Sequence, residues 1–578
     1  MKQTKISKVF IFFICFFISI TIVTPPEAGA SDFYVIGEET GDYGFPSPHS
    51  IRPLGFGYKR MMFLFDTLVW KDNDGFVPAL AEKWEYDSEN LCYSFYLQPE
   101  IYWHDGEELT VDDVVFTFNY LEEHPLTWVD MKNIKKVEKV SEKQVDITLN
   151  KPDAAFINSV AGVIPIMPAH IWKDVENPTN YQEKDAAIGS GPYKLEEYNR
   201  EKGLYRFSAN YSYYLGKPKI NNLVFTAVGD PQLAILNQEV NIAQVKGDVV
   251  TKLEEAGIEV FHIPHDLQNK MFFNHQKEPF DKVEIRHAIA HAIDREEIVE
   301  RALRGHGLPG NTGLVSPDSR WYNPDVEQYA YDPSRAEELL TSSGYHKEGG
   351  LIVNDQGEQL SVSIIAMSEL SRIGELIKEY LEDIGIKVDL QSMERSVMEE
   401  RIKKWDYDLA ITRHGAIGGD PGSLDMFMVG EVRPHLNTRY NHPDLIDALD
   451  AQQEEMNEDK RKQLAGEVQK IYAEHLPALT LNYITWYFGH DGTVDWFYTK
   501  DALAYGVPTP FNKLALVDFD SEVAVDSREV QPTDTEEAQP DVEPAATNST
   551  WIIIGTIIVL VVLAAFIIKG RKGKMYKN

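Results

Sequence analysis

The sequence predicts an α/β protein of more than one lobe, held outside a membrane by a single C-terminal helix. Three observations predict it. The 578 residues exceed what one hydrophobic core holds, which implies two or three lobes. Residues 362–366, 370–384 and 386–390 read as strand, amphipathic helix and strand in succession. That βαβ unit calls for a right-handed crossover and parallel pairing. The run 551–568 carries no charge and reaches the minimum length of a bilayer span, about 18 residues.

Hydrophobic residues make up 43% and charged residues 25%, both globular values. The net charge of −35 excludes a nucleic-acid partner, because a phosphate backbone requires a basic surface. Of the two cysteines, Cys15 lies in the N-terminal apolar run and Cys92 stands alone in the body. Neither an intramolecular disulfide nor a Cys-rich metal site is expected. Lys2, Lys5 and Lys8, an apolar run over 9–23 and Ala28-Gly29-Ala30 read as a signal peptide over residues 1–30. Phe12-Phe13-Ile14 before Cys15 lacks the small residues of a lipoprotein site. At the other end, Lys569, Arg571, Lys572, Lys574 and Lys577 place residues 569–578 in the cytoplasm and the rest outside. Residues 521–550, rich in Asp, Glu, Pro, Ala and Thr, read as a disordered acidic tether.

In chain order, Phe33 and Val35 begin a first strand. Residues 41–53 form a Gly/Pro loop carrying Tyr43, Phe45, His49 and Arg52, which marks either a site or a packed surface loop. Residues 59–68 read as a helix with Met62, Phe63 and Phe65 inward. Tyr93, Phe95 and Leu97 alternate as in a half-buried strand, paired with 83–86 across Asp87-Ser88-Glu89-Asn90. Trp103-His104-Asp105-Gly106 makes a turn in which Gly106 is free to take a positive φ. Thr110 and Asp113 have capping-box spacing, and Val114, Phe118 and Leu121 form the helix stripe that follows. Residues 137–149 read as a second hairpin, and Gly189-Ser190-Gly191-Pro192-Tyr193 as a tight turn into a strand. Phe272-Phe273-Asn274 ends a strand, and Pro279-Phe280-Asp281 opens a helix with Ile285, Ile289, Ala292 and Ile293 inward. His287 and His291 have metal-ligand spacing, yet they stand off that apolar face and read as a solvated helix side. Asp332, Pro333 and Gly344 cap, open and stop a further helix. After the βαβ unit come a strand at 407–412, helices at 443–453 and 459–475, and a late strand at 478–486.

The hairpin, His-Asp-Gly turn and capped helix over 80–121 resemble the signature region of the family 5 solute-binding proteins. These are extracytoplasmic receptors of ATP-driven importers for oligopeptides, dipeptides and nickel. Residues 189–193 are similar to the family's Gly-x-Gly-Pro-Tyr segment, and 271–304 resemble a second family stretch. The likeness runs over about 79–496, and with the C-terminal anchor it points to an archaeal-like form. It implies a periplasmic-binding-protein-like fold: two lobes with a hinge plus a small extra lobe. Lobe I then takes 31–70, 185–270 and 488–520, the small lobe 71–184 and lobe II 271–487, with crossings near 268–273 and 479–487. It also implies a receptor that captures short peptides by lobe closure and delivers them to an ABC permease with its ATPase subunits. A nickel chelate or an oligosaccharide is the alternative cargo. The ectodomain is expected to be a monomer without cofactor, metal or catalytic residues.

In an open α/β sheet, ligands bind beyond the carboxyl ends of strands. The first site candidate is therefore the loop Arg413-His414-Gly415-Ala416-Ile417-Gly418-Gly419-Asp420-Pro421-Gly422. Arg413 suits a carboxylate, and Asp420 either holds an ammonium or caps the next turn. In peptide-binding relatives an aspartate three residues before the acid–Pro pair takes the peptide's amino terminus; here that position is Ile417. Trp128, Tyr440 and Trp486 fall where relatives place aromatic cleft residues, and large aromatics equally serve as core. With His414 and Tyr43 they complete the expected ligand-binding set. His-Glu-x-x-His, Gly-x-Ser-x-Gly and nucleotide-loop motifs are absent. An anchored extracellular hydrolase is the reading of another class, and no acid pair among the carboxylates is singled out for it.

Overall fold

The structure is a computed structural model that describes residues 33–519 apart from 53–55, 74, 416, 418, 431–436 and 500–510. The expected signal peptide (1–30), tether (521–550), membrane helix (551–568) and cytoplasmic tail (569–578) lie outside the described residues. Among the described residues, no helix is long and apolar enough to cross a membrane.

β1 (Tyr34–Glu38) opens the main sheet, and a short antiparallel pair follows, β2 (Val69–Lys71) with β3 (Phe76–Pro78). A separate four-stranded antiparallel sheet comes next: β4 (Ala81–Asp87), β5 (Cys92–Leu97), β6 (Ile134–Lys139) and β7 (Gln144–Leu149), ordered β4–β5–β7–β6. Tyr93, Phe95 and Leu97 take its buried face, as their alternation requires. Helix Val111–Glu123 packs on β6 and β7 and starts with the capping box expected of Thr110 and Asp113. The Asp113 carboxylate accepts from Thr110 N at 2.9 Å and from Ala169 N at 2.9 Å, which also ties the helix to the following segment.

The chain then returns to the main sheet as β8 (Tyr193–Asn199), β9 (Leu204–Ala209) and β10 (Asn222–Ala227), a meander whose last strand lies parallel to β1. β11 (Ile242–Val245) flanks β1 on its other side. β12 (Glu259–Phe273) is a long strand leading into the second half of the chain. There follow β13 (Gly307–Pro309), the hairpin β14 (Tyr345–Glu348) and β15 (Leu351–Asn354), and the unit β16 (Ser361–Met367), helix Ser371–Asp383 and β17 (Lys387–Met393), whose strands are parallel. β18 (Leu409–Gly415) lies between β16 and β12, and β19 (Ala478–His490) runs back antiparallel to β12. The main sheet is ordered β17–β16–β18–β12–β19–β11–β1–β10–β9–β8, with β13 on β19.

Two large apolar cores flank this sheet. One gathers side chains between Tyr34 and Ile263 with others from Phe488 to Val517; the other gathers side chains from Met271 to Leu481. β12 and β19 thread both, and β12 shifts register against β19 between Ile263 and Leu267, where the cores change over. β19 is longer than its sequence pattern predicts, because β11 pairs with Tyr487 through His490.

The helix expected at 59–68 is instead Phe56–Met62. Its continuation is replaced by contacts from the Gly-x-Gly-Pro-Tyr segment: Gly191 N donates to Leu64 O at 2.8 Å and Tyr193 N to Phe63 O at 3.0 Å. Side chains at 189 and 191 would strike this backbone, since a Cβ on Gly189 would lie 2.0 Å from Leu64 O and one on Gly191 2.5 Å from Phe63 O.

Candidate functional site

Arg413 on β18 stands opposite Asn269 on β12, which stands opposite Asn482 on β19. Cross-strand partners share a face, so three polar side chains form one row across the middle of the sheet. Arg413 Nε donates to Asn269 Oδ1 at 2.9 Å, and Asn269 Nδ2 donates to Asn482 Oδ1 at 3.2 Å. Asn482 Nδ2 is buried and has no acceptor among the described residues. The row therefore ends on donors: the outer nitrogens of the Arg413 fork on one side and an amide N–H on the other. Burial holds the Arg413 guanidinium below its usual range while Glu369 opposes the shift, and it remains a cation at neutral pH. Two and four residues beyond Asn482 on β19, Ile484 and the half-buried Trp486 share its face, which puts Trp486 about 13 Å along the strand from the row.

His414 follows Arg413 and so points to the opposite face. Its ring stacks on Phe427, centroids 4.4 Å apart, and it is buried. On that same face Lys270 is buried, with Phe427 O as an acceptor at 3.4 Å, and desolvation pushes its pKa well down. Arg413 and His414 thus do not line one site.

For Asp420 the structure shows the capping arrangement. Arg461 Nη1 donates to Oδ2 at 2.9 Å and Nη2 to Oδ1 at 2.6 Å, while Gly422 N donates to Oδ1 at 2.7 Å. Both carboxylate oxygens are occupied in a buried, bidentate pair, which leaves neither open for a ligand ammonium. Trp321 braces the same loop, its Nε1 donating to Gly419 O at 2.8 Å. Ile417 is buried in the second core.

The remaining aromatic candidates are dispersed. Trp128 is buried in the first core, edge-on to Tyr58 at 5.5 Å. Tyr43 is half-buried there under the Arg60 guanidinium, 4.6 Å from its ring centre. Tyr440 borders the second core, its hydroxyl 2.8 Å from His475 Nδ1. His287 and His291 are each engaged by a different backbone carbonyl, Glu474 O at 2.8 Å and Ala330 O at 2.7 Å. Among the described residues, no cluster of three His, Cys, Asp or Glu side chains could hold a metal.

The sequence reading missed Asn269, Asn482, Arg461 and Trp321. The two asparagines carry no motif; only their burial mid-strand and cross-strand register reveal them. What the row can do chemically is bind acceptors, such as a carboxylate at the Arg413 fork and a carbonyl at Asn482.

A family model, bacterial extracellular solute-binding proteins, family 5 Middle, matches residues 75–430. The chain is 24% identical over 446 residues to the dipeptide-binding protein of Escherichia coli (strain K12), covering 71% of this chain and 81% of the relative. It is 27% identical over 489 residues to the oligopeptide-binding protein AppA of Bacillus subtilis (strain 168), covering 79% and 87%. The solved structure of NikZ from Campylobacter jejuni in complex with Ni(L-His) matches with a TM-score of 0.68 at 22% identity, covering 82% of this chain and 97% of that one. That last likeness is one of fold.

Proposed function

Because the chain belongs to the bacterial extracellular solute-binding proteins of family 5, we propose that it captures a short peptide outside the cell and delivers it to an ABC importer. Its fold is the mixed α/β, periplasmic-binding-protein-like one, and its relatives are substrate-binding proteins, not enzymes. The observation that carries the peptide reading is the donor row Arg413–Asn269–Asn482, which lacks acceptors at both ends. A peptide offers a carboxylate to the Arg413 fork and a backbone carbonyl to Asn482 Nδ2. The names of the dipeptide- and oligopeptide-binding relatives support the same class.

Capture works by closure of lobe I (31–70, 185–270, 488–520) and lobe II (271–487) about β12 and β19, with the small lobe (71–184) attached to lobe I. Solute favours the closed form because only there do both lobes contact it. A micromolar Kd corresponds to about 8 kcal/mol, within reach of a desolvated charge pair and several backbone hydrogen bonds. Native mass spectrometry of the purified ectodomain identifies the solute carried along, and calorimetry with that solute tests the row. For a peptide, Arg413→Ala weakens binding by about 2–5 kcal/mol, because the carboxylate stays buried and unpaired. Unchanged affinity in the folded variant removes the row from the site. A nickel chelate or oligosaccharide in the spectrum replaces the peptide and leaves the receptor role.

The protein is placed at the membrane, with residues 1–30 removed, 551–568 spanning, 521–550 as the tether and 569–578 in the cytoplasm, where the basic flank supports that orientation. Truncation before Trp551 then releases a soluble protein; a truncated form that still fractionates with membranes has another anchor.

A further inference from the structure

We infer that residues 151–155, which follow β7 of the four-stranded sheet, form a reversible clasp with the Gly422, Gln453 and Arg461 region of the second core, and that this clasp is coupled to order in the Asp420–Gly422 turn. The two sides share no apolar core: Phe156 belongs to the first cluster and Leu424 and Leu449 to the second. What joins them is polar. Ala154 N donates to Gln453 O at 2.9 Å, and Arg461 Nη1 donates to Ala154 O at 3.3 Å, so both backbone groups of Ala154 are satisfied from the other side. Gln453 Nε2 donates to Asp153 Oδ1 at 2.5 Å. At the rim, Lys151 Nζ lies 2.9 Å from Glu454 Oε1 and 3.5 Å from Asp450 Oδ1. The approach is close enough to require a glycine, since a Cβ on Gly422 would stand 2.6 Å from Ala155 Cβ.

A junction of backbone hydrogen bonds and half-exposed ion pairs, with Ala155 buried against Gly422 but no core cluster running across it, belongs to the low-stability end of a fold and opens without unfolding either core. The coupling runs through one guanidinium. Arg461 holds both oxygens of Asp420, and the same Nη1 reaches Ala154 O. Opening the clasp removes that acceptor and lets water reach the Asp420 pair, loosening the turn from Asp420 to Gly422. The clasp is independent of which solute binds.

The test uses the full chain without added solute and reads amide hydrogen exchange. Lys151→Glu sets a carboxylate against Glu454 and Asp450 at an exposed position that does not threaten folding. Ala154 N–H exchange then rises about tenfold, and the amides of Asp420 and Gly422 rise with it. In Lys151→Glu combined with Glu454→Lys, both return toward their original rates. Unchanged exchange at Ala154, or no recovery in the charge-swapped pair, overturns the clasp. Release of Ala154 with the loop amides still protected overturns the coupling.

Discussion

The backbone amide of Gly189 donates to Nδ1 of His104 at 3.2 Å. Nε2 of the same ring meets Gly191 O at 3.0 Å, so the proton sits on Nε2 and the imidazole is neutral. Lys194 Nζ donates to His104 O at 2.8 Å. The Trp103-His104-Asp105-Gly106 turn and the Gly-x-Gly-Pro-Tyr segment, 85 residues apart, are thereby one structural unit. Protonating Nδ1 would break the Gly189 bond and charge an enclosed ring.

Acid stability follows from that neutrality. Burial, as the main cause, pushes His104 down to about 4, and it does the same to His275, where Arg286 adds to the shift. In the unfolded chain these rings take up protons near pH 6.5. Between the two values the unfolded state binds more protons, so the contribution is full above pH 6.5 and is lost as pH falls through 4. The urea midpoint should decline from pH 7 to pH 4, and His104→Gln should remove on the order of 2–3 kcal/mol of that pH-dependent difference. An unaltered slope in the variant would show that His104 is not held neutral.

Gly189→Ala and Gly191→Ala should each cost about 2–4 kcal/mol of unfolding free energy. The added Cβ meets backbone oxygen, not the end of a flexible side chain, so local adjustment offers little relief. Gly106, whose added Cβ would meet nothing within 4 Å, sits at φ +98° in the adjoining turn. Gly106→Ala should therefore lose only the conformational term, about 1 kcal/mol. Equal losses at 106 and 189 would contradict the steric account.

Ile417, where the family resemblance leads one to expect an amine-binding acid, is buried in the second core. Ile417→Asp should not install an amine site. It should bury an unpaired carboxylate and destabilise the protein by about 3–5 kcal/mol, with larger losses above the carboxylate pKa than below it. Calorimetric unfolding at pH 7 and pH 4 measures this; a variant as stable as the parent would mean that Ile417 turns toward the cleft.

Local patterns made much of the fold legible. The Tyr93–Phe95–Leu97 alternation, the Thr110–Asp113 box, the Asp332-Pro333 start and the amphipathic 371–383 helix each depend on neighbours within one or two turns. The site was less legible because its partners meet only through the sheet. Arg413 and Asn269 are 144 residues apart, Asn269 and Asn482 213, and neither asparagine differs in sequence from a surface one. Asp420 shows the same limit: its capping of Gly422 is local and was among the readings of the loop, whereas its pairing with Arg461 was not foreseeable from spacing.

The Asp420–Arg461 pair separates charge from packing. Both side chains are buried, and Arg461 Nε also donates to Gln452 O at 3.0 Å. Asp420→Ala leaves a buried guanidinium without its counter-charge and should cost about 3–5 kcal/mol; Arg461→Met strands the carboxylate and should cost a similar amount. The double variant removes both charges and places an apolar chain beneath Trp321, so most of the loss should return, giving a strongly non-additive cycle in urea unfolding. Recovery should not extend to Ala154, which lacks its Arg461 donor in the double variant and should keep a raised exchange rate. Additive losses in the cycle would mean that the two residues stabilise the protein separately, and that the pair does not hold the loop.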